Sequence, residues 1–200
     1  MNNETTEQKL TKYHEFFSIE HEFSINILPV EAHKGTSYEQ FLTDMPTPFK
    51  MASDMSSIDQ AALRPLQTLS GVASQLVDYL KHQSTKIDLL IGYILSQHDD
   101  EQHRYHGLKF GGGGLLFTAD KAFELAQLLE MKIFLLNDNC AVYCYGEVIN
   151  VEQSQDAYLH KVIFHFIRED DREVLVRTSL HEQSKQLQAL AKQRNQENSI

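Results

Sequence analysis

Two neighbouring segments of the chain alternate their side chains with a period of two. In NCAVYCYGEVINVEQ (139–153), Val142, Cys144 and Val148 share one face of an extended chain, and YLHKVIFHFIRED (158–170) alternates in the same way. A period of two is typical of strands, because successive side chains of a strand point to opposite faces. The sequence therefore predicts two successive strands, joined through the short stretch SQDA.

Apolar spacing predicts several further elements along the chain. They are strands at 15–30 and 131–136, a short helix at 37–45, a turn or short helix at Lys121–Leu125, and a C-terminal helix at Arg172–Ala191. In the first of these strands, Phe23, Ile25 and Ile27 occupy alternate positions. The expected fold class is α+β: a small antiparallel β-barrel or sheet with an inserted long helix and a C-terminal helix.

The inserted helix is predicted from a long run of apolar residues spaced alternately by three and four, in a helical segment that begins near Ser57. One position of the repeat holds Leu69, Leu76, Gln83 and Leu90, and the other holds Ala73, Leu80, Ile87 and Ile94. We call these eight residues the heptad seam. Such spacing over nearly four heptads has two interpretations: the seam packs on the chain's own sheet, or it forms a coiled coil between subunits. We favour the second, with Gln83 helping to fix the register, and expect a homo-oligomer between dimer and tetramer.

Length and composition favour one domain. With 200 residues and 42% hydrophobic content, the chain can bury one substantial core. We expect a single domain over 14–188, interrupted by a helical insertion at about 36–104, with flexible tails at 1–13 and 189–200. No segment has the run of about 20 apolar residues that a membrane helix needs, and the N-terminus lacks a signal-peptide layout. We therefore expect a cytoplasmic protein without membrane insertion.

Charge and cysteine content narrow the classes of partner and chemistry. The net charge is −10, from 28 acidic and 18 basic residues, which argues against sequence-independent nucleic-acid binding. Cys140 and Cys144 are four residues apart in a predicted strand, too far for an unstrained disulfide, and are expected to be reduced, buried thiols.

Four consecutive glycines lie within LKFGGGGLLF, residues 108–117. A glycine-rich turn can cradle a phosphate, but no Lys-Ser/Thr pair follows and no G-x-G-x-x-G helix start is present. We therefore expect Gly111–Gly114 to supply positive φ angles and a close backbone approach at a bend of the barrel.

These features together resemble a known family. The run GGGGLLF, the strand MKIFLL, then YGEVINV, HKVIFHFI and REDDREVLVRTSLHEQSKQLQ resemble the second half of a PilZ domain, over roughly residues 108–188. The PilZ domain is a small β-barrel module associated with binding the bacterial second messenger cyclic di-GMP. The early stretch YHEFFSIEHEFSINILPV resembles the first strand of such a domain.

The nucleotide-binding motifs of that family are altered in this chain. Binding members carry R-x-x-x-R before the first strand, where this chain has His14 and Ser18 at the two arginine positions. Their second motif, [D/N]-x-S-x-x-G, falls on Lys109, Gly111 and Gly114, so only its last glycine is retained. About ninety residues separate the two motifs, which resembles an atypical branch in which inserted helices assemble subunits and the motifs are eroded.

Loss of both arginines predicts weak or absent cyclic di-GMP binding. Arginine's planar fork suits phosphate and guanine edges, and each charge-assisted hydrogen bond contributes about 1.5–3 kcal/mol. Lys12 can restore one phosphate contact, as a point charge without the fork. The alternative is a genuine receptor with a diverged pocket made by Lys12, His14, Lys109 and the glycine run, aided by Arg104 or Arg168. The resemblance implies a regulatory protein that contacts an unidentified protein partner in cyclic di-GMP-linked signalling, such as motility or surface attachment.

Metal and catalytic sites are not predicted. The segment HDDEQHRYH supplies His98, Asp99, Asp100, His103 and His106, but it has no H-E-x-x-H spacing, and a polar helix end explains it more simply. A nucleophile formed by Cys140 or Cys144 with a histidine lacks a local signature. The acidic run EDDRE (169–173) is expected to form the first turn of the last helix, where carboxylates oppose the helix dipole. We therefore expect neither a cofactor nor an active site.

Overall fold

The structure, a computed structural model, describes residues 5–31, 37–52, 54–55, 72–135, 140–154 and 157–197. Its elements are α1 (Thr6–Glu15), β1 (Ser18–Pro29), α2 (Tyr38–Asp44), α3 (47–52), α4 (Val72–Ser96), β2 (Arg104–Gly111), β3 (Gly114–Ala119), β4 (Leu128–Leu135), β5 (Cys140–Ser154), β6 (Ala157–Phe166) and α5 (Glu169–Glu197). A 3₁₀ turn, Glu101–His103, leads into β2.

The six described strands close into an antiparallel barrel in the order β1-β2-β3-β6-β5-β4. This confirms the predicted fold class and selects a barrel over an open sheet. The alternating residues of β1 point inward as predicted, since Ile25 and Ile27 are at most 1% exposed. They pack with Phe117, Met131 and Val142 in the barrel core.

Strand β5 is buried on both faces, although its sequence alternates. Val142 and Cys144 belong to the barrel core, whereas Tyr143 and Tyr145 point outward and are at most 1% exposed. Helices from the insertion cover this outer face, because Phe41 of α2, Phe49 of α3 and Leu95 of α4 pack in the same cluster. We call this group of residues the outer cluster. It anchors the insertion on the barrel.

Polar contacts fix the path from α4 into β2. Asn26 of β1 donates its Nδ2 to Asp99 Oδ1 at 2.8 Å, and the backbone N–H of Asp100 donates to Asn26 Oδ1 at 2.7 Å. Arg104 donates its Nε to Asp99 Oδ2 at 3.0 Å. Because Asn26 is 4% exposed, these bonds satisfy a buried amide while they set the exit of the long helix.

Helix α5 begins at the acidic run, as predicted, with Glu169, Asp170 and Asp171 in its first turn. Arg168, just before the helix, donates to both carboxylate oxygens of Asp171, at 2.8 and 3.2 Å. Its Nη1 also donates to Asp54 Oδ1 at 3.0 Å, which links the insertion to α5. Leu175, in the second turn of α5, is fully buried in the barrel core.

Two segments can be compared with their sequence-based expectation. Residues 6–13, which we placed in a tail, form most of α1, and a capping box explains its start: Gln8 N–H donates to Thr5 Oγ1, and Thr5 N–H donates to Gln8 Oε1. Of the two alternatives predicted for Lys121–Leu125, the structure has the turn: a bend lies at Lys121 and a turn begins at Leu125. The predicted helix start near Ser57 lies outside the described residues.

Removal of a large aromatic side chain from the outer cluster should destabilise the protein. We expect Phe41→Ala to lower the free energy of unfolding by about 3–5 kcal/mol, because Phe41 is fully buried against Tyr143 and Tyr145. Phe17→Ala is the matched control, since Phe17 is 42% exposed, and it should cost less than about 1 kcal/mol. Urea denaturation measures both. Equal losses in the two variants would show that the outer cluster does not anchor the insertion.

Candidate functional site

The structure brings most residues of the degenerate nucleotide motifs to one end of the barrel. Ser18, the first residue of β1, pairs with Gly111, the last residue of β2. Lys109 pairs with Glu20 on one side and with Leu116 of β3 on the other. Gly114 opens β3, and its missing Cβ leaves room for the ring of Tyr13, the residue between Lys12 and His14 in α1.

Strand β2 ends at Gly111 and β3 begins at Gly114. We call the four residues Gly111–Gly114 the glycine hairpin. A Cβ on Gly111 would overlap the carbonyl oxygen of Phe17, and one on Gly114 would overlap that of Val162. The predicted close backbone approach is therefore confirmed. The predicted positive φ angles are wrong, because none of these four glycines lies in the left-handed region. They permit close packing of neighbouring backbone, and they do not serve a left-handed turn.

Side chains from the end of α1 and from α5 cover the glycine hairpin. A Cβ on Gly112 would lie 2.6 Å from both the ring of Phe16 and a methyl group of Val176 in α5. Arg172 of α5 donates its Nη1 to the carbonyl oxygen of Gly112, and its guanidinium lies 5.3 Å from the centre of the Phe16 ring. The hairpin is thus a platform on which α1 and α5 pack.

Neither Arg104 nor Arg168 adds a guanidinium to the motif residues. Arg104 pairs with Asp99 near the end of α4, and Arg168 is 9% exposed between Asp171 and Asp54. The guanidinium that does reach the glycine hairpin belongs to Arg172, which the sequence analysis did not single out. No sequence motif identifies Arg172 as a contact of the hairpin. The contact joins residues 60 positions apart and depends on how α5 packs against the barrel.

The leucines and isoleucines in the described part of the heptad seam are exposed in the single chain. Leu76, Leu80, Ile87, Leu90 and Ile94 are between 39% and 65% exposed. The interpretation that the seam packs on the chain's own sheet is therefore wrong for these five residues. Leu69 and the side chain of Ala73 lie outside the described part of the structure. The coiled coil between subunits remains a prediction.

The polar interruption of the seam has a partner on its own helix. Gln83 donates its Nε2 to the hydroxyl of Tyr79, one turn earlier, at 2.6 Å. A polar group that is buried without a hydrogen bond costs free energy. This bond therefore reduces the cost of enclosing Gln83 in an apolar interface.

Histidine and cysteine side chains show ordinary structural roles. His103 Nδ1 lies 2.8 Å from Asp100 Oδ2, and this hydrogen bond lowers the pKa of Asp100. In the part of the chain that the structure describes, no group of three His, Cys, Asp or Glu side chains is arranged to hold a metal ion. Cys140 and Cys144 are not joined in a disulfide. Burial raises the pKa of Cys144 well above its ordinary value, so this thiol stays protonated at neutral pH.

Comparison with known proteins identifies the family. Residues 82–180 match the sequence model of the PilZ domain. A crystal structure of a Xanthomonas campestris protein, described as a tetrameric PilZ domain self-assembled through a helical bundle, is 13% identical to this chain. The match covers 89% of this chain and 96% of that one, with a TM-score of 0.56. The chain therefore contains a PilZ domain over the residues that this sequence model matches.

Other solved structures match smaller parts of the chain. The Bacillus subtilis inhibitor of motility is 14% identical over 41% of this chain and 42% of its own, with a TM-score of 0.39. K. pneumonia MrkH in its apo state is 16% identical over 47% of this chain and 46% of its own, with a TM-score of 0.34. No curated protein matches the chain significantly. Among the described residues, no helix is both long and apolar enough to cross a membrane.

If the glycine hairpin serves close packing, an added methyl group should destabilise the fold. We expect Gly111→Ala to lower the free energy of unfolding by about 1–3 kcal/mol, because its Cβ must displace backbone of β1. Ser18→Ala, at the residue paired with Gly111, is the control and should change stability by less than about 0.5 kcal/mol. Chemical denaturation compares the two. A Gly111→Ala protein as stable as the wild type would contradict the packing role.

Proposed function

We propose that this protein is a non-enzymatic, cytoplasmic PilZ-domain regulator that self-assembles through α4 and acts by contacting another protein. The observation that carries this proposal is the exposed heptad seam. It is an apolar stripe along a 25-residue helix, with large side chains exposed in the isolated chain. Soluble monomers rarely expose large contiguous apolar patches, so such a stripe is typical of an interface.

The form of the assembly follows from where α4 is anchored. Leu95 is fully buried in the outer cluster, whereas Ile94 beside it is 48% exposed. The helix thus keeps one side on the barrel and presents the seam on another. The Xanthomonas campestris protein, whose fold this chain shares, is described as assembling through a helical bundle, which supports the same use of α4 here. In our proposal α4 belongs to an insertion within one domain over 14–188.

Cyclic di-GMP binding is weak or absent in this proposal. His14 and Ser18 replace the two arginines, and the glycine hairpin is already covered by Phe16, Val176 and Arg172. A ligand that reached the hairpin would have to displace these contacts, without two guanidinium forks to compensate. The regulator would then act in cyclic di-GMP-linked signalling, such as motility or surface attachment, through protein contacts.

Disruption of the seam should abolish assembly. We expect the wild type to sediment as a dimer to tetramer, and Leu80→Glu with Ile87→Glu to sediment as the 23.0 kDa monomer, since carboxylates cannot be buried in the seam. The control is Gln75→Glu with Thr85→Glu, which adds the same charge to exposed positions of α4 outside the seam and should assemble like the wild type. Analytical ultracentrifugation distinguishes these states. A monomeric wild type would refute the assembly.

Titration calorimetry with cyclic di-GMP at moderate salt tests whether the protein binds this nucleotide. We expect no binding at micromolar concentration for the wild type. His14→Arg with Ser18→Arg should gain measurable affinity, because each restored charge-assisted hydrogen bond contributes about 1.5–3 kcal/mol. Micromolar or tighter binding by the wild type would instead support the alternative, a receptor with a diverged pocket. A double variant without gain would show that the missing guanidinium groups are not the cause.

A further inference from the structure

A groove of about 560 Å³ lies between α5 and the outer face of strands β1–β3. Its apolar lining is Leu108 and Leu116, both partly exposed. Glu20 and Glu22 of β1 line one side, and Lys109 is the cation among the lining residues. We call this the β1–α5 groove. Its volume falls within the range of about 300–1,000 Å³ that is typical of ligand pockets.

The walls of the groove are held in place by polar contacts. Gln186 of α5 donates its Nε2 to the carbonyl oxygen of Glu20 at 2.9 Å. One turn earlier, Glu182 Oε2 lies 3.5 Å from Nδ1 of His21, and Glu182 is 7% exposed. These contacts tie α5 to β1 along the groove, so the groove is formed before any ligand arrives. A preformed site avoids part of the entropic cost of binding.

The charges of the groove are unfavourable for phosphate and favourable for a cation. Glu20 and Glu22 are exposed and both carry a negative charge at neutral pH. Lys109 lies opposite Glu20 in the strand register and offsets one of them. His106 Nε2 lies 3.8 Å from Glu22 Oε1 at the edge of the groove. The lining therefore keeps a net negative charge beside an apolar floor, on a protein whose net charge is −10.

We propose that the β1–α5 groove binds a short segment of a partner protein in which lysine or arginine alternates with leucine-like residues. The basic side chains of this segment pair with Glu20 and Glu22, and its apolar side chains contact Leu108 and Leu116. This inference rests on the proposed function, because it supplies the partner surface that an interaction protein requires. It does not depend on the heptad seam, and it assigns to Lys109 a role in tuning the affinity for a basic partner.

The probe is a fluorescently labelled peptide of about ten residues with alternating lysine and leucine, whose two faces are basic and apolar when extended. A matched peptide of alternating glutamate and leucine is the control ligand. Fluorescence anisotropy should show binding of the lysine peptide alone. Glu20→Gln with Glu22→Gln should weaken binding about tenfold, since the variant loses both carboxylates that pair with the lysines of the peptide. Glu39→Gln with Glu173→Gln, which changes net charge equally at exposed sites outside the groove, should bind like the wild type.

Lys109→Glu supplies the sharpest readout, because it should tighten binding several-fold by removing the cation from the groove. An unfolded variant cannot produce this gain. Equal loss in both glutamate-to-glutamine variants would mean general attraction to an acidic protein and would overturn the inference. Equal binding of the two peptides, or weaker binding by Lys109→Glu, would overturn it as well.

Repeating the titration with Leu80→Glu plus Ile87→Glu separates this inference from the assembly. We expect that variant to retain peptide binding. A wild type that assembles but does not bind the lysine peptide would refute the groove alone, whereas a monomeric wild type that binds the peptide would refute the assembly alone.

Discussion

The contact between the insertion and the outer face of β5 determines the arrangement of the rest of the molecule. Phe41, Phe49 and Leu95 cover Tyr143 and Tyr145, and the hydroxyls of the two tyrosines lie 3.4 Å apart in this contact. Burial of large aromatic side chains contributes strongly to stability. Because the end of α4 is anchored in the outer cluster, the apolar residues of its heptad seam remain exposed and available for the proposed assembly.

The glycine hairpin shows how a ligand motif can become a structural one. Glycine permits a close approach of backbone, whether the approaching group is a phosphate or another strand. Here the approaching groups are the carbonyl oxygens of Phe17 and Val162, and the side chain of Val176 fills the space over Gly112. The position at which the family resemblance predicts a binding motif is thus covered by the chain's own α1 and α5. This agrees with the proposal of weak or absent nucleotide binding, since residues 14 and 18 are His and Ser and supply no guanidinium group.

The two surfaces proposed for recognition differ in their charge. The seam on α4 is apolar, and Gln83, its polar member, is satisfied by Tyr79, so it suits a second copy of the same helix. The β1–α5 groove combines leucines with acidic residues, so it suits a basic partner. Self-assembly and partner binding can therefore occur together, and assembly would place several grooves on one particle, which raises avidity for a repeated partner.

The sequence by itself determined the local elements and the altered chemistry. Alternation in residues 139–170 predicted β5 and β6, and the spacing of three and four predicted α4. The family resemblance placed His14, Ser18 and Lys109 at altered motif positions, which remains a prediction. These features could be predicted because they depend on residues that are close in the chain. Tertiary structure decided the barrel closure, in which Ile27 pairs with Met131, and the cover over Tyr143 and Tyr145. It also placed Arg172 on the glycine hairpin and kept the four glycines outside the left-handed region. These properties depend on contacts between residues far apart in the chain, which no local pattern records.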